Sequence, residues 1–465
     1  MQKIRKLIAE INNKLSSSDY PSNLTDSDYI AYNKSRFIPE KKYICHAPFN
    51  NLYFNTEGHI AVCWLTFNNP VHYTENKTLR ELWNDIKFQS LREHIKKNDL
   101  GYQCHICHKH IKEGNHVNVL SKAYDNDYPL TDFPSIMEFE LDNTCNLACT
   151  MCNGMLSSTI RRDRENLPPL KSPYGKKFLE ELKEFIPHLK EVRFNGGEPF
   201  LIKIYYEIWD MILEINPEIK ITIATNGTVL NNKVKSYLDR GNFHLNISVD
   251  GFSKETYEST RINGNFTNLM QNIEWFKSYC HKHARTLCIM INPMRQNWWE
   301  MPDFVNWCNA NSVHLWFNTI VRPENQAIWN LPAKELGKIY QKLSKAKINN
   351  NSSTSSSLYK YNVKTYHNLV QQQIKTWWEE AVGRENANKP LANKFTDIES
   401  LLTEVLPRLN DRKSFIDFLN ELNVNERQKV EMSLLTSNSD YLVNELNTKS
   451  IDQIKKEVNQ FILKG

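Results

Sequence analysis

Between residues 134 and 323 short apolar runs take turns with longer segments of helical period. Runs at 136–141, 191–195, 219–225, 245–249, 286–292 and 313–318 predict six strands. Segments at 176–189, 204–215, 231–240, 265–280 and 301–310 carry the 3.6-residue repeat and predict the helices between them. Strand and helix in alternation is the pattern of a parallel sheet with right-handed crossovers. Periodicity alone does not separate a barrel from a flat doubly wound sheet.

A parallel strand covered on both faces should be apolar throughout, yet these alternate. Glu138, Glu140 and Asp142 oppose Met137, Phe139 and Leu141. Arg193 and Asn195 oppose Val192 and Phe194, while Asn246, Ser248 and Asp250 oppose Leu245, Ile247 and Val249. His314, Trp316 and Asn318 oppose Val313, Leu315 and Phe317. With a period of two, each set points one way. The apolar set is expected on the helices and the polar set in a wet lumen, because unpaired burial costs roughly 1–3 kcal/mol per group. The competing expectation for any one of them is a closed hydrogen-bonded network.

The flanks read differently. Residues 1–16 fit a short amphipathic helix, and 19–40 are polar with little period, so 1–40 is expected to be an extension. Alternating runs around 52–54 and 59–63, separated by Thr56, Glu57 and Gly58, predict a hairpin. A helix is expected over 78–97. Beyond 325 the chain predicts a helical C-terminal region, 326–465, with a helix at 334–347, a Ser/Asn-rich linker at 349–357, and capping boxes at Thr396/Glu399 and Ser450/Gln453. Trp377 and Trp378 are expected to fill core.

Composition narrows the class. No 18-residue apolar run occurs in the 465 residues, and the mean hydropathy of −0.58 is that of a water-exposed globular chain, so no membrane span is expected. The charged N-terminus does not read as a signal peptide, which makes the expected location cytoplasmic. A net charge of +5 is too small to call for nucleic acid. Ten cysteines without an export signal point to metal ligands or reactive thiols, and seven of them lie between Cys45 and Cys152, grouped four plus three.

Cys145, Cys149 and Cys152 have C-x3-C-x2-C spacing directly after the first predicted barrel strand. Three thiolates on one loop suit an iron–sulfur cluster with one iron left open; a structural zinc takes four ligands, and the loop holds no fourth Cys or His. The other group is Cys45, Cys63, Cys104 and Cys107, with Gly58 in between. A four-thiolate zinc ribbon has the same spacing logic, and Cys104 to His108 is formally a C-x-x-C-H haem site, although haem attachment would call for export. At later strand ends stand Gly196-Gly197-Glu198-Pro199, Thr225-Asn226-Gly227 and Ser248-Val249-Asp250-Gly251, where α/β sheets bind ligands. Arg261 and Asn292 follow. Cys288 shares a strand face with Met290 and Asn292, and its thiol is a candidate hydrogen donor or ligand set against the commoner inert buried cysteine.

The cysteine triad with the Gly-Gly-Glu-Pro turn resembles the radical S-adenosylmethionine (radical SAM) superfamily. The resemblance implies an α/β fold, a partial (β/α)6 barrel over 113–325, with S-adenosylmethionine chelated to the open iron of a 4Fe-4S cluster held by Cys145, Cys149 and Cys152. Reductive cleavage to a 5'-deoxyadenosyl radical and hydrogen abstraction from a substrate are the implied chemistry. Gly196, Gly197 and Glu198 are then expected at the methionyl amino group, Asn226, Ser248 and Asp250 near the ribose, Arg261 at the carboxylate, and Asn292 as a further polar contact. Met151 stands where an aromatic residue is more frequent. The order C-x12-G-x4-C, helix, C-x2-C over 41–112 is similar to the twitch form of the SPASM domain, here preceding the barrel, which implies a second, auxiliary 4Fe-4S cluster on Cys45, Cys63, Cys104 and Cys107. The implied substrate is a ribosomal peptide or protein side chain, with a small alcohol or sugar as the alternative, and the implied electron donor is of flavodoxin or ferredoxin type. A non-catalytic iron–sulfur sensor or nucleic-acid-binding protein would lack the strand-end motifs.

Overall fold

The computed structural model describes residues 24–464 apart from 37–40, 67–69, 75, 101–102, 113, 117–118, 127, 129, 321–322, 350–356, 387–397, 424–425, 428–429, 432–433 and 435–438. The expected helix at 1–16, most of the linker at 349–357 and the capping box starting at Thr396 lie outside the described residues.

All six barrel strands form: β4 (Ile136–Phe139), β5 (Glu191–Phe194), β6 (Lys220–Thr225), β7 (Phe243–Ser248), β8 (Leu287–Ile291) and β9 (His314–Phe317), preceded in the chain by β1 (Asn51–Phe54), β2 (His59–Ala61) and β3 (Val71–His72). They make one nine-stranded sheet in the order β3-β2-β1-β4-β5-β6-β7-β8-β9. From β1 to β9 every neighbour is parallel, with β1 against β4 in the register Tyr53↔Glu138 and Phe54↔Phe139; β2 and β3 add on antiparallel. The fold is α/β with a mixed, mostly parallel sheet, as expected.

Two features bear on the expected domain limits. Residues 41–112 share a sheet with the barrel, since β1 is hydrogen-bonded along β4 and Phe54 stacks on Phe139, so one core runs through both. The C-terminal region is helical and falls into two parts. Helices Ala333–Ser344, Ser357–His367 and Lys375–Asn386 pack into the main core, whereas the helices after 398 have small apolar clusters of their own. Asn362 closes the open edge of β9, its amide accepting from Leu315 N at 2.9 Å and donating to Val313 O at 2.9 Å. Trp378 stacks on Tyr340 and fills the space over Gly337, as core does.

The hairpin turns at Gly58, whose φ of +84° is open to glycine. The single helix expected over 78–97 is two, Leu79–Trp83 and Ile86–Lys96, because the Asp85 side chain accepts from Lys87 N and starts a new helix. At Ser450 the capping bonds form with Gln453. Residues 26–34, which show no period, form a helix started by the Thr25–Asp28 capping box.

The alternation along the strands appears as burial: in β7, Phe243, Leu245 and Ile247 are buried while His244, Asn246 and Ser248 are half-buried, and β6 and β8 alternate likewise. Register carries the polar face across the sheet, Asn246↔Cys288↔His314 and Ser248↔Met290↔Trp316. Part of the expected wet face is dry. Glu138 is buried, accepting from Tyr124 OH at 2.7 Å and Asn51 Nδ2 at 2.8 Å, with Arg193 Nη1 at 3.7 Å. Here the closed network replaces the expected lumen.

Candidate active site

The cysteine loop is folded by its own side chains. Asn143 Nδ2 donates to Gly154 O at 2.8 Å across its mouth. Ser157 caps helix Ser158–Asp163 and also donates to Leu147 O at 2.7 Å, while Thr159 Oγ1 donates to Cys145 O at 2.7 Å. Arg164 Nη2 donates to Cys149 O and Cys152 O at 3.2 and 2.8 Å. Every one of these bonds fixes the loop independently of a cofactor. Burial first, and then nearby negative groups including the neighbouring thiols, push Cys145 up to about 11 and Cys152 up to about 12, against the backbone N–H groups of Leu147 and Asn153 and the charge of Arg261, which lower them. Such thiols ionise only when a cation joins them.

The Gly196–Gly197–Glu198 turn is stitched to this loop. Gly197 N donates to Asp142 O at 3.2 Å and Glu198 N to Thr144 O at 2.8 Å. A Cβ on Gly197 would stand 2.2 Å from Thr144 O, and Gly196 has φ +102°, so neither position tolerates a side chain. The Glu198 carboxylate is fully buried and points into the protein: it accepts from Thr225 Oγ1 at 2.7 Å, Asn226 N at 2.7 Å and Phe200 N at 3.2 Å. Burial raises it to about 7 against those three bonds. The turn therefore offers a ligand its backbone, and the Glu198 side chain serves to hold Thr225 and Asn226 in place.

Asn226 reaches the triad, Nδ2 lying 3.9 Å from Cys145 Sγ and 3.0 Å from Asn146 Oδ1. On the opposite side Arg261 Nη1 lies 3.9 Å from Cys149 Sγ. Its Nη2 bonds Asp250 Oδ2, and Asp250 also accepts from Asn292 N at 2.5 Å and from Asn292 Nδ2 at 3.0 and 3.1 Å. Asp250 is fully buried with φ +56°, a left-handed conformation held in place by Asn297 Nδ2 on its carbonyl at 3.0 Å. The sequence reading put Asp250 near a ribose and Asn292 as a further polar contact; in the structure the Asp250 carboxylate bonds Arg261, and Asn292 bonds Asp250. Ser248 alone of that expected group ends its strand half-buried on the luminal face.

These residues fit the implied groups on two counts. Arg261 Nε is buried without a hydrogen-bond partner, an orphan donor beside Cys149 suited to a carboxylate. The three thiols also come from one loop, near enough to act on one another electrostatically, with amide and guanidinium donors at two of the sulfurs. Thr225, Asn297, Arg164 and Gln296, whose Nε2 donates to Thr150 Oγ1 at 3.2 Å, are functional supports that sequence reasoning missed. Only Thr225 had a signal, standing beside Asn226 at a strand end. Met151 packs near Met294, Ile320 and Ala327. Cys288 lies on the luminal face, where burial pushes its thiol up to about 12.

The second cysteine group gathers below β1 and β2. Cys45, Cys63, Cys104 and Cys107 are unpaired thiols; burial raises all four, and Cys45 and Cys104 are raised further by their neighbours in the set, Cys107 and Cys63 included. Backbone N–H groups of Ala47, Leu65, Leu120 and Ser121 face three of these sulfurs, and the Cys63 thiol lies 3.8 Å from Thr66 Oγ1, whose own proton goes to Cys63 O at 2.9 Å. Among the described residues no three Cys, His, Asp or Glu side chains converge tightly enough to hold a single metal ion.

Residues 140–308 match the model of the radical SAM superfamily. The GTP 3',8-cyclase of Limosilactobacillus fermentum is 28% identical over 202 residues, covering 43% of this chain and 57% of the relative, and the AdoMet-dependent heme synthase of Methanosarcina barkeri is 28% identical over 152 residues, covering 31% and 40%. The chain thus spans about half the length of the curated relatives it matches. Among solved structures it is similar to anSMEcpe with bound AdoMet (20% identity, 45% of this chain and 58% of that one, TM-score 0.34) and to Streptococcus suis SuiB bound to S-adenosylmethionine (15%, 63% and 68%, TM-score 0.34).

Proposed function

We propose that this chain, whose residues 140–308 match the radical SAM superfamily, cleaves S-adenosylmethionine reductively at the Cys145–Cys149–Cys152 loop and takes a hydrogen atom from a peptide or protein side chain. The observation that carries the reading is the orphan donor of Arg261 beside a thiol triad with no fourth cysteine in its loop. When bound, the cluster and S-adenosylmethionine supply the electron and the 5'-deoxyadenosyl radical. What the chain's own residues contribute is placement. Arg261, fixed by Asp250 and Asn292, presents a charge to the methionyl carboxylate. Gly196 and Gly197 bring backbone close to the amino group, and Ser248 with Asn226 lies on the ribose side. The half-buried stripe from Asn246 to Trp316 is read as the wall of the substrate space, and the 39% exposure of Trp316 supports a substrate that extends to the surface.

The four thiols, Cys45 and Cys63 buried and Cys104 and Cys107 half-buried, are read as the ligands of a second 4Fe-4S cluster. Their spacing and their closeness, by which they raise one another, support a shared metal centre, and iron quantitation separates the cluster from a four-thiolate zinc. A flavodoxin- or ferredoxin-type protein is the proposed electron donor. One observation favours a second reading, a small-molecule substrate: the relatives in sequence include GTP 3',8-cyclases. The test is anaerobic reconstitution, reduction, and measurement of 5'-deoxyadenosine with GTP, with a small alcohol, and with any short peptide encoded beside this chain. Stimulation by the peptide alone supports the first reading, stimulation by a small molecule the second, and no 5'-deoxyadenosine under any condition overturns both.

A further inference from the structure

Helix Asp26–Lys34 and Arg36 take no part in the barrel, yet they are bolted to the second cysteine group. Lys112 on helix His105–Lys112, which carries Cys107, reaches Asp28 at 2.6 Å. Tyr32 is fully buried and its hydroxyl shares a 2.5 Å hydrogen bond with Ser121 Oγ. Arg36, 5% exposed, forks onto Asp125, with Nε to Oδ2 at 2.7 Å and Nη2 to Oδ1, and its Nη1 donates to Tyr43 O and Asn33 Oδ1 at 2.9 Å each. Tyr43 stands two residues before Cys45. Asp125 closes the turn Leu120–Tyr124, whose Leu120 and Ser121 N–H groups face the Cys107 sulfur. One guanidinium therefore joins two segments that touch different thiols of the set.

We propose that Arg36 through its fork on Asp125, seconded by Tyr32 through Ser121, is a positioning residue for the Cys45–Cys63–Cys104–Cys107 centre, holding the 120–125 turn so that its N–H groups stay directed at Cys107. The inference rests on the iron–sulfur reading of those cysteines. Hydrogen bonds to cluster sulfurs stabilise the more negative, reduced state and raise the reduction potential. Arg36 and Tyr32 do this at one remove, and neither side chain touches a sulfur.

The test is a redox titration followed by electron paramagnetic resonance on the full-length, anaerobically reconstituted chain, in a Cys145→Ala/Cys149→Ala/Cys152→Ala background that leaves one signal. Arg36→Met should move the midpoint to a more negative value, and Tyr32→Phe should move it the same way by less. Arg36→Lys, which keeps the charge and loses the fork, should fall between Arg36→Met and the parent. With the triad intact, the triad's own signal should keep its midpoint in all three variants. Full iron with an unmoved midpoint in both Arg36→Met and Tyr32→Phe overturns the inference, and if Arg36→Met does not fold, the midpoint of Tyr32→Phe decides alone. A parent background without iron or signal sinks the iron–sulfur reading instead, which keeps the two failures apart.

Discussion

Cys145, Cys149 and Cys152 come from one loop of eight residues that its own capping and carbonyl hydrogen bonds hold open. Cys45, Cys63, Cys104 and Cys107 are collected from separate segments across a hairpin and a helix, and four backbone N–H groups face three of them. The triad has backbone N–H groups of its own loop at Leu147 and Asn153, and in addition Asn226 and Arg261 from a distant strand end and helix end, of which Arg261 Nε has no hydrogen-bond partner. The tetrad supplies a fourth cysteine, which the triad's loop lacks. On the proposed reading, the difference is that between a centre with a place for a ligand and one without.

Removing one cysteine from each site is the harshest way to break that contrast. Cys149→Ala should abolish 5'-deoxyadenosine formation and leave about four irons per chain, whereas Cys104→Ala should also halve the iron from about eight while S-adenosylmethionine cleavage persists. Iron assay with product chromatography checks both, and equal loss of cleavage in the two variants would erase the distinction. A smaller effect probes the open side alone. Asp250→Ala strands Arg261 as a buried unpaired charge, which should cost about 3–5 kcal/mol in thermal or denaturant unfolding.

Gly197→Ala places a Cβ 2.2 Å from Thr144 O, a crowding worth about 1–3 kcal/mol. Equilibrium dialysis should show weaker S-adenosylmethionine binding with the tetrad's iron unchanged. The smallest expected effect is in pH. Glu198 binds its proton more tightly folded, near 7, than unfolded, near 4.5, so its contribution to stability is full below about pH 4.5 and is lost as pH rises through 7. Melting of the apo chain from pH 5 to 8 should show a loss on the order of 1–3 kcal/mol that Glu198→Gln lacks.

Much of the barrel was legible because each strand declares itself twice, by its apolar face and by the polar residues opposite. The triad and the Gly-Gly-Glu turn stood out by spacing, and Arg261 by the resemblance to the radical SAM superfamily. Helix Asp26–Lys34 did not, since one buried ring, Tyr32, and a capping box hold it rather than an apolar stripe. The bonds from Arg261 and Asn292 to Asp250 were not readable, because a strand-end carboxylate looks alike in sequence whether it faces a ligand or a neighbouring side chain. Glu138 was expected in water because Tyr124 and Asn51, which bury it, are 14 and 87 residues away. Alternation names the face a residue lies on and says nothing of what closes over it.

The most direct measurement is the electron paramagnetic resonance spectrum of the reduced, reconstituted protein before and after adding S-adenosylmethionine. Two signals are expected, of which the one lost in Cys149→Ala changes shape on addition and the one lost in Cys104→Ala does not. A spectrum in which neither signal responds would contradict an open iron at the triad.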